Sequence, residues 1–144
     1  MDRGPATDDF LDAYGRAFAA FDVEAVADMF AYPWQITSGA DEAGVTIVPR
    51  REAWLPELER LVAAYRTIGV AAAEILERRT TELTPRLAQV VVRWALTDRA
   101  GARIYDFDAA YTLADLGDGL RITAIAHNET ARLRAALTAR RSGG

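Results

Sequence analysis

The sequence predicts an α+β domain in which three helices precede an antiparallel sheet, and two observations carry that prediction. Apolar residues recur at helical spacing through the first half of the chain, as in Phe10, Tyr14, Phe18 and Phe21. Beyond Gly69 the texture changes to four long strand-like runs, at about 70–78, 87–97, 102–114 and 120–128, joined by the turn-rich segments TDRAG and ADLGDG. Helices first and hairpin-linked strands second define the α+β class.

Each element has its own local cause. Thr7 ahead of Asp8 and Asp9 marks a helix start, because a hydroxyl caps free amides and acids suit the positive end of the helix dipole. Asp22 caps a second helix over 22–31, whose Val23, Val26, Ala27 and Phe30 share a face; Pro33 closes it by disfavouring helix at Tyr32. YPWQITSG then reads as a short extended segment and, after the acidic turn ADEAG, VTIVP as a short strand. Residues 51–67 read as a third helix with Trp54, Leu58, Leu61, Val62 and Tyr65 inward, stopped by Gly69. Pro56 conflicts with a start at Arg51 and calls for a later start or a kink. Arg78 and Arg79, followed by TTE, read as a solvated strand end.

A chain of 144 residues fits one domain, 1–144, able to bury a core without metal or disulfide. The hydrophobic fraction of 51% and charged fraction of 26% are those of a globular protein, and no apolar run approaches the roughly 20 residues of a membrane span. The start MDRGPATDDF lacks the layout of a secretion signal, so a cytoplasmic location is expected. Absence of cysteine excludes disulfides, thiolate nucleophiles and Cys-based metal sites. A net charge of −4 without a basic face argues against nucleic acid as partner. There is no Gly-rich phosphate loop, no supported Ser/His/Asp constellation and no metal-ligand spacing around the lone histidine, so neither cofactor nor metal is expected.

The element order, with FDVEAVADMFA at the second helix and DGLRI opening the last strand, resembles the nuclear transport factor 2-like superfamily, also called SnoaL-like or ketosteroid-isomerase-like, over about residues 8–128. The resemblance implies a cone-shaped, curved antiparallel sheet wrapped around three N-terminal helices, with a small apolar pocket at its mouth and a habit of homodimerising through the outer sheet face. Residues 129–144 then form a C-terminal helical extension, partly flexible, with Leu133 and Leu137 in line; it covers a sheet edge, packs at a dimer interface or stays loose.

Function on this fold has to be read position by position. In ketosteroid isomerases a carboxylate base follows the second helix; here that place holds Thr37 or Ser38, neither suited to removing a proton from carbon. The tyrosine of the first helix is matched by Tyr14, and the late-strand acid falls at or beside Asp108 and Ala109. Epoxide hydrolysis needs two carboxylates bridged by arginine, for which Arg93, Asp106 and Asp108 are available. Strand alternation puts both acids opposite the apolar face Tyr105, Phe107, Ala109, Tyr111 and Leu113.

His127 is the one side chain whose ordinary pKa suits proton transfer near neutrality. If Ile122, Ala124, Ala126 and Asn128 line the cone it points outward; if Thr123, Ile125 and His127 do, it sits at the mouth, and a one-residue slip exchanges the two. The expected catalytic residues are His127 and Tyr14, and the expected ligand-pocket residues Tyr32, Trp34, Phe107 and Tyr111. The resulting expectation is a binder of an apolar small molecule, with cofactor-free isomerisation, cyclisation or dehydration as its chemistry. The alternative is a non-catalytic dimeric binding or assembly module.

Overall fold

The computed structural model describes residues 4–39 and 42–142. The elements are α1 (Gly4–Ala19), α2 (Val23–Ala27), β1 (Phe30–Ser38), β2 (Gly44–Val48), α3 (Arg51–Ile68), β3 (Ala72–Thr84), β4 (Leu87–Thr97), β5 (Arg103–Asp115), β6 (Leu120–His127) and α4 (Glu129–Ser142). Ala40 and Asp41 of the expected acidic turn and the terminal Gly143–Gly144 lie outside the described residues. The strands form one curved, unclosed sheet in the order β2-β1-β6-β5-β4-β3. Four neighbouring pairs are antiparallel and β1 with β6 is parallel, so the sheet is mixed. Hairpin signals announce only partners adjacent in sequence, and the β1–β6 pair, some ninety residues apart, has none.

Local chemistry explains most boundaries. α1 starts earlier than the Thr7 signal implies, and Thr7 lies inside the helix with its side chain fully buried instead of capping it. The helix ends with Phe21 in the left-handed region (φ 57°); Asp22 N–H bonds Ala17 O and Phe21 N–H bonds Phe18 O, which satisfies the last carbonyls. The Arg66 guanidinium stands 4.8 Å over the Phe21 ring and holds this unusual residue against the end of α3. Asp22 caps α2 as expected, accepting from Ala25 N–H at 3.1 Å. That helix is short, because Phe30 and Ala31 leave it for β1, where Phe30 pairs with Ile122 and Met29 O accepts from Ile122 N–H.

α3 begins at Arg51 with Pro56 inside it, so of the two expected consequences of the proline the later start does not occur. Arg51 anchors the first turn by bonding Glu24 of α2 and Asp28 at the C-cap of that helix. Gly69, in the left-handed region at φ 83°, closes α3. β3 continues to Thr84 along β4; Arg79 is exposed as expected, while Arg78 is only partly exposed and pairs with Asp8 and Asp12, tying α1 to the sheet. The core between sheet and helices is aromatic. Phe30, Trp34 and Trp54 stack in sequence at 4.4 and 4.8 Å, while Tyr14 meets Phe18, Tyr111 and Trp94 at 5.0, 5.7 and 6.3 Å. Leu11, Leu58, Leu113 and Ile122 are fully buried around them, each contributing about 1.5–3 kcal/mol of transfer free energy.

Candidate functional site

β6 decides where His127 points. Opposite β5 the register runs Ala114–Arg121, Leu113–Ile122, then Thr112–Ala124, so Thr123 is an extra residue. This bulge shifts the side-chain alternation by one. Ile122 and Ile125 are thereby both buried, and His127, two residues beyond Ile125, points to the same inner side. Neither of the two strictly alternating registers describes the strand, since each requires one of those isoleucines to face out.

A cavity of about 80 Å³ lies between the sheet and the helices. Tyr14 and Phe18 of α1, Trp54, Leu61 and Tyr65 of α3, Trp94 of β4, Phe107 and Tyr111 of β5, and Ile125 and His127 of β6 line it, and Glu129 closes it from the first turn of α4. Tyr14, Phe107, Tyr111 and His127 therefore meet in one place. Tyr32 and Trp34 do not join them. The Tyr32 hydroxyl donates to Ala27 O at 2.8 Å; burial pushes its pKa up to about 12, against an opposing pull from Arg51. Trp34, 2% exposed, is consumed in the stack with Phe30 and Trp54. Gly15 is also part of the wall: a methyl there would stand 2.8 Å from Trp94 Cζ3, so only glycine lets α1 approach that ring.

Glu129 is the group that sequence reasoning missed. It is 8% exposed, and its Oε2 accepts from the hydroxyls of Tyr65 at 2.6 Å and Tyr105 at 2.7 Å. Burial pushes its pKa up, opposed by those two hydrogen bonds. No arginine pairs with it among the described residues. The signal available in HNET was an acid two residues after the histidine, at the first turn of a helix, which resembles ordinary dipole-matching.

His127 Nδ1 accepts the Glu129 backbone N–H at 3.1 Å, so the imidazole caps α4, and its neutral form carries its hydrogen on Nε2. Burial lowers its pKa. Trp94 Nε1–H donates to the Tyr111 hydroxyl at 2.8 Å, and burial raises the pKa values of Tyr14, Tyr65, Tyr105 and Tyr111, keeping all four as phenols.

The acids considered for other chemistries are elsewhere. Arg93 bridges Asp106 at 3.0 Å and Asp108 at 3.3 Å on the outer sheet face, and Asn128 Oδ1 accepts from Asp108 N–H. No group of three or more potential metal ligands occurs among the described residues.

Comparison with known proteins agrees with the fold. The family model described as NTF2-like protein (DUF6841) matches residues 5–130. The chain belongs to this NTF2-like family. No curated protein sequence matches it. Among solved structures it is similar to an NTF2-like protein of unknown function from Shewanella oneidensis MR-1, at 13% identity and a TM-score of 0.69, covering 88% of this chain and 99% of that one. It is also similar to an NTF2-like protein with a cystatin-like fold from Novosphingobium aromaticivorans, at 14% identity and a TM-score of 0.67, covering 92% and 87%. At such identities the likeness speaks for the NTF2-like fold alone. The model match ends at residue 130, so most of α4 lies beyond it.

Proposed function

We propose that this NTF2-like protein binds a small, largely apolar molecule in the cavity and exchanges a proton with it through Glu129, without cofactor or metal. One observation carries the reading: a carboxyl group, 8% exposed and without a basic partner among the described residues, stands in the wall of an otherwise aromatic and aliphatic cavity. Burying such a group away from any cation is costly even with the two tyrosine hydroxyls as partners, which supports a working role for it in the cavity wall. His127 and Tyr14 share that wall; in this reading His127 holds Glu129 at the helix start and supplies an N–H, while Glu129 takes the proton-transfer role. At about 80 Å³, roughly half the volume of a cavity that takes benzene, the site suits a ligand of few heavy atoms.

The test is mass analysis of small molecules that co-purify with the native chain, followed by soaking the recovered compound into Glu129→Gln. Retention of the ligand with loss of its conversion supports proton transfer. Conversion undiminished in that variant sinks the assignment of Glu129.

A second reading, a non-catalytic dimeric module, is favoured by the small cavity and by the outer sheet face. There Val91, Ala110, Ala126 and Thr37 form one lateral row, and Gln89, Thr112, Ala124 and Gln35 the next. These two rows, uncharged from β4 to β1 and with small residues at their centre, suit a second copy of the chain.

A further inference from the structure

The cavity wall combines many aromatic rings with one acid and no cation, and together these name a ligand. Seven aromatic side chains line it, and Glu129 is the one acid among the lining residues; no arginine joins them and the chain has no lysine. The rings stand at steep angles, Tyr14 to Phe18 at 78°, Tyr14 to Tyr111 at 77° and Phe18 to Tyr65 at 65°. Away from the line where two such planes cross, an occupant lies over the face of one ring or the other, and that face carries the negative end of the ring quadrupole. On the carboxyl, Oε2 accepts from Tyr65 and Tyr105, while Oε1 accepts from no donor among the described residues. The hydroxyl of Tyr14, a residue 6% exposed in the same wall, is likewise unpartnered among those residues. His127 brings no opposing charge at neutral pH, because burial holds its pKa below the ordinary value.

We infer that the cavity takes a small methylated ammonium ion, its methyl groups against the ring faces and its N–H on Glu129 Oε1. The inference rests on the proposed use of the cavity for a ligand that exchanges a proton with Glu129, and adds that ligand's charge and class. Methyl groups spread the positive charge over an apolar surface, and a cation over desolvated rings is held more strongly than one in water. The pairing also contains the proton exchange. The N–H bond breaks with its electron pair left on nitrogen, the proton bonds to Oε1, and a neutral amine stands beside a neutral carboxyl. Burial favours that neutral pair over two charges, in keeping with the raised pKa of Glu129. An anionic ligand would face the Glu129 carboxylate with no cation to offset either charge. A neutral acceptor uses the tyrosine and imidazole donors but leaves the carboxylate and the ring faces without a counter-charge.

Three probes separate these outcomes on the full-length protein at neutral pH, followed by NMR titration and tryptophan fluorescence: trimethylammonium, methylammonium, and neutral tert-butanol, which keeps the branched shape and accepts a hydrogen bond. Trimethylammonium is expected to bind about tenfold more tightly than either of the others, with its methyl protons shifted upfield by the rings. Glu129→Gln is expected to remove most of the advantage over tert-butanol. Phe18→Leu keeps an apolar side chain at a partly buried position and leaves the carboxyl in place. It is expected to shrink the advantage about threefold, with the upfield shift, and it stands as a test by itself if Glu129→Gln does not fold. The inference is overturned, and the cavity left as a ligand site, if tert-butanol or methylammonium binds as tightly as trimethylammonium. An advantage unchanged in Glu129→Gln or in Phe18→Leu does the same. Binding of none of the three also overturns the inference, and the reading beneath it falls with it only if no small molecule co-purifies with the native chain.

Discussion

At the scale of single residues, Glu129 and His127 place opposite pH dependences beside one another. The carboxyl's pKa is raised in the fold, so the native state holds its proton more strongly than the unfolded chain does. Its contribution is fully present below the ordinary carboxyl value near 4.5 and is lost as pH rises through the folded value. His127 is lowered by burial, so its contribution is present above the ordinary value of 6.5 and is lost as pH falls through the folded value. Glu129→Gln keeps the volume and removes the first dependence. Thermal melts from pH 4 upward should therefore show the variant gaining on the native protein as pH rises, and parallel curves would count against a buried, proton-holding Glu129. Gly15 supplies a second prediction: Gly15→Ala pushes a methyl into Trp94, which should cost about 1–3 kcal/mol in denaturant unfolding and weaken ligand binding by driving the indole into the cavity. An unchanged midpoint would mean that α1 shifts freely, contrary to its ion pairs with Arg78.

Elements show what a sequence can and cannot announce. The helical stripe of α1, the Asp22 cap, the Gly69 stop and the four hairpin-linked strands were legible because propensity and local spacing decide them. Phe30 was misread because the rule that ends a helix before proline locates only its latest possible end, while the strand pairing with Ile122 ends it sooner. His127 could not be phased, since no residue type marks Thr123 as the bulge; only packing both Ile122 and Ile125 inward requires it. Deleting Thr123 is therefore expected to be tolerated: the bulge disappears, Ile122 and Ile125 become two positions apart, and strict alternation keeps both of them and His127 on the inner face. Hydrogen exchange at α4 should then stay native, with a loss of stability well below the about 2–5 kcal/mol that turning one isoleucine out would cost. Accelerated exchange at α4 together with a loss of that size would show that the extra residue does not set the phase of His127.

At the scale of the whole molecule, the two faces of the sheet differ in character. The inner face closes on aromatic rings and one carboxyl; the outer face carries the Arg93–Asp106–Asp108 cluster at one side and rows of small residues beside it. The site itself is assembled across the chain, from α1, α3, five strands and the first residue of α4, which is why the polar partners of Glu129, Tyr65 and Tyr105, sit 64 and 24 positions away from it. No motif of fixed spacing can announce such a site, and Tyr65 and Tyr105 were legible only as inward-facing aromatics. The outer rows bear on oligomeric state. Val91, 40% exposed, lies in a lateral row between Arg79 of β3 and Ala110, Ala126 and Thr37. A second copy laid on the uncharged part of that row would leave Arg79 at the rim, whereas a charge at Val91 would have to be desolvated against the partner. Light scattering at micromolar concentration should accordingly give the mass of two chains for the native protein and of one for Val91→Arg, with the melting temperature of the variant falling as its partner's contribution is lost. The inner cavity is not lined by Val91, so Val91→Arg should keep whatever small molecule co-purifies with the native chain. A variant that stays dimeric, or a native protein that runs as one chain, removes the outer face from the assembly and leaves the inner site unaffected.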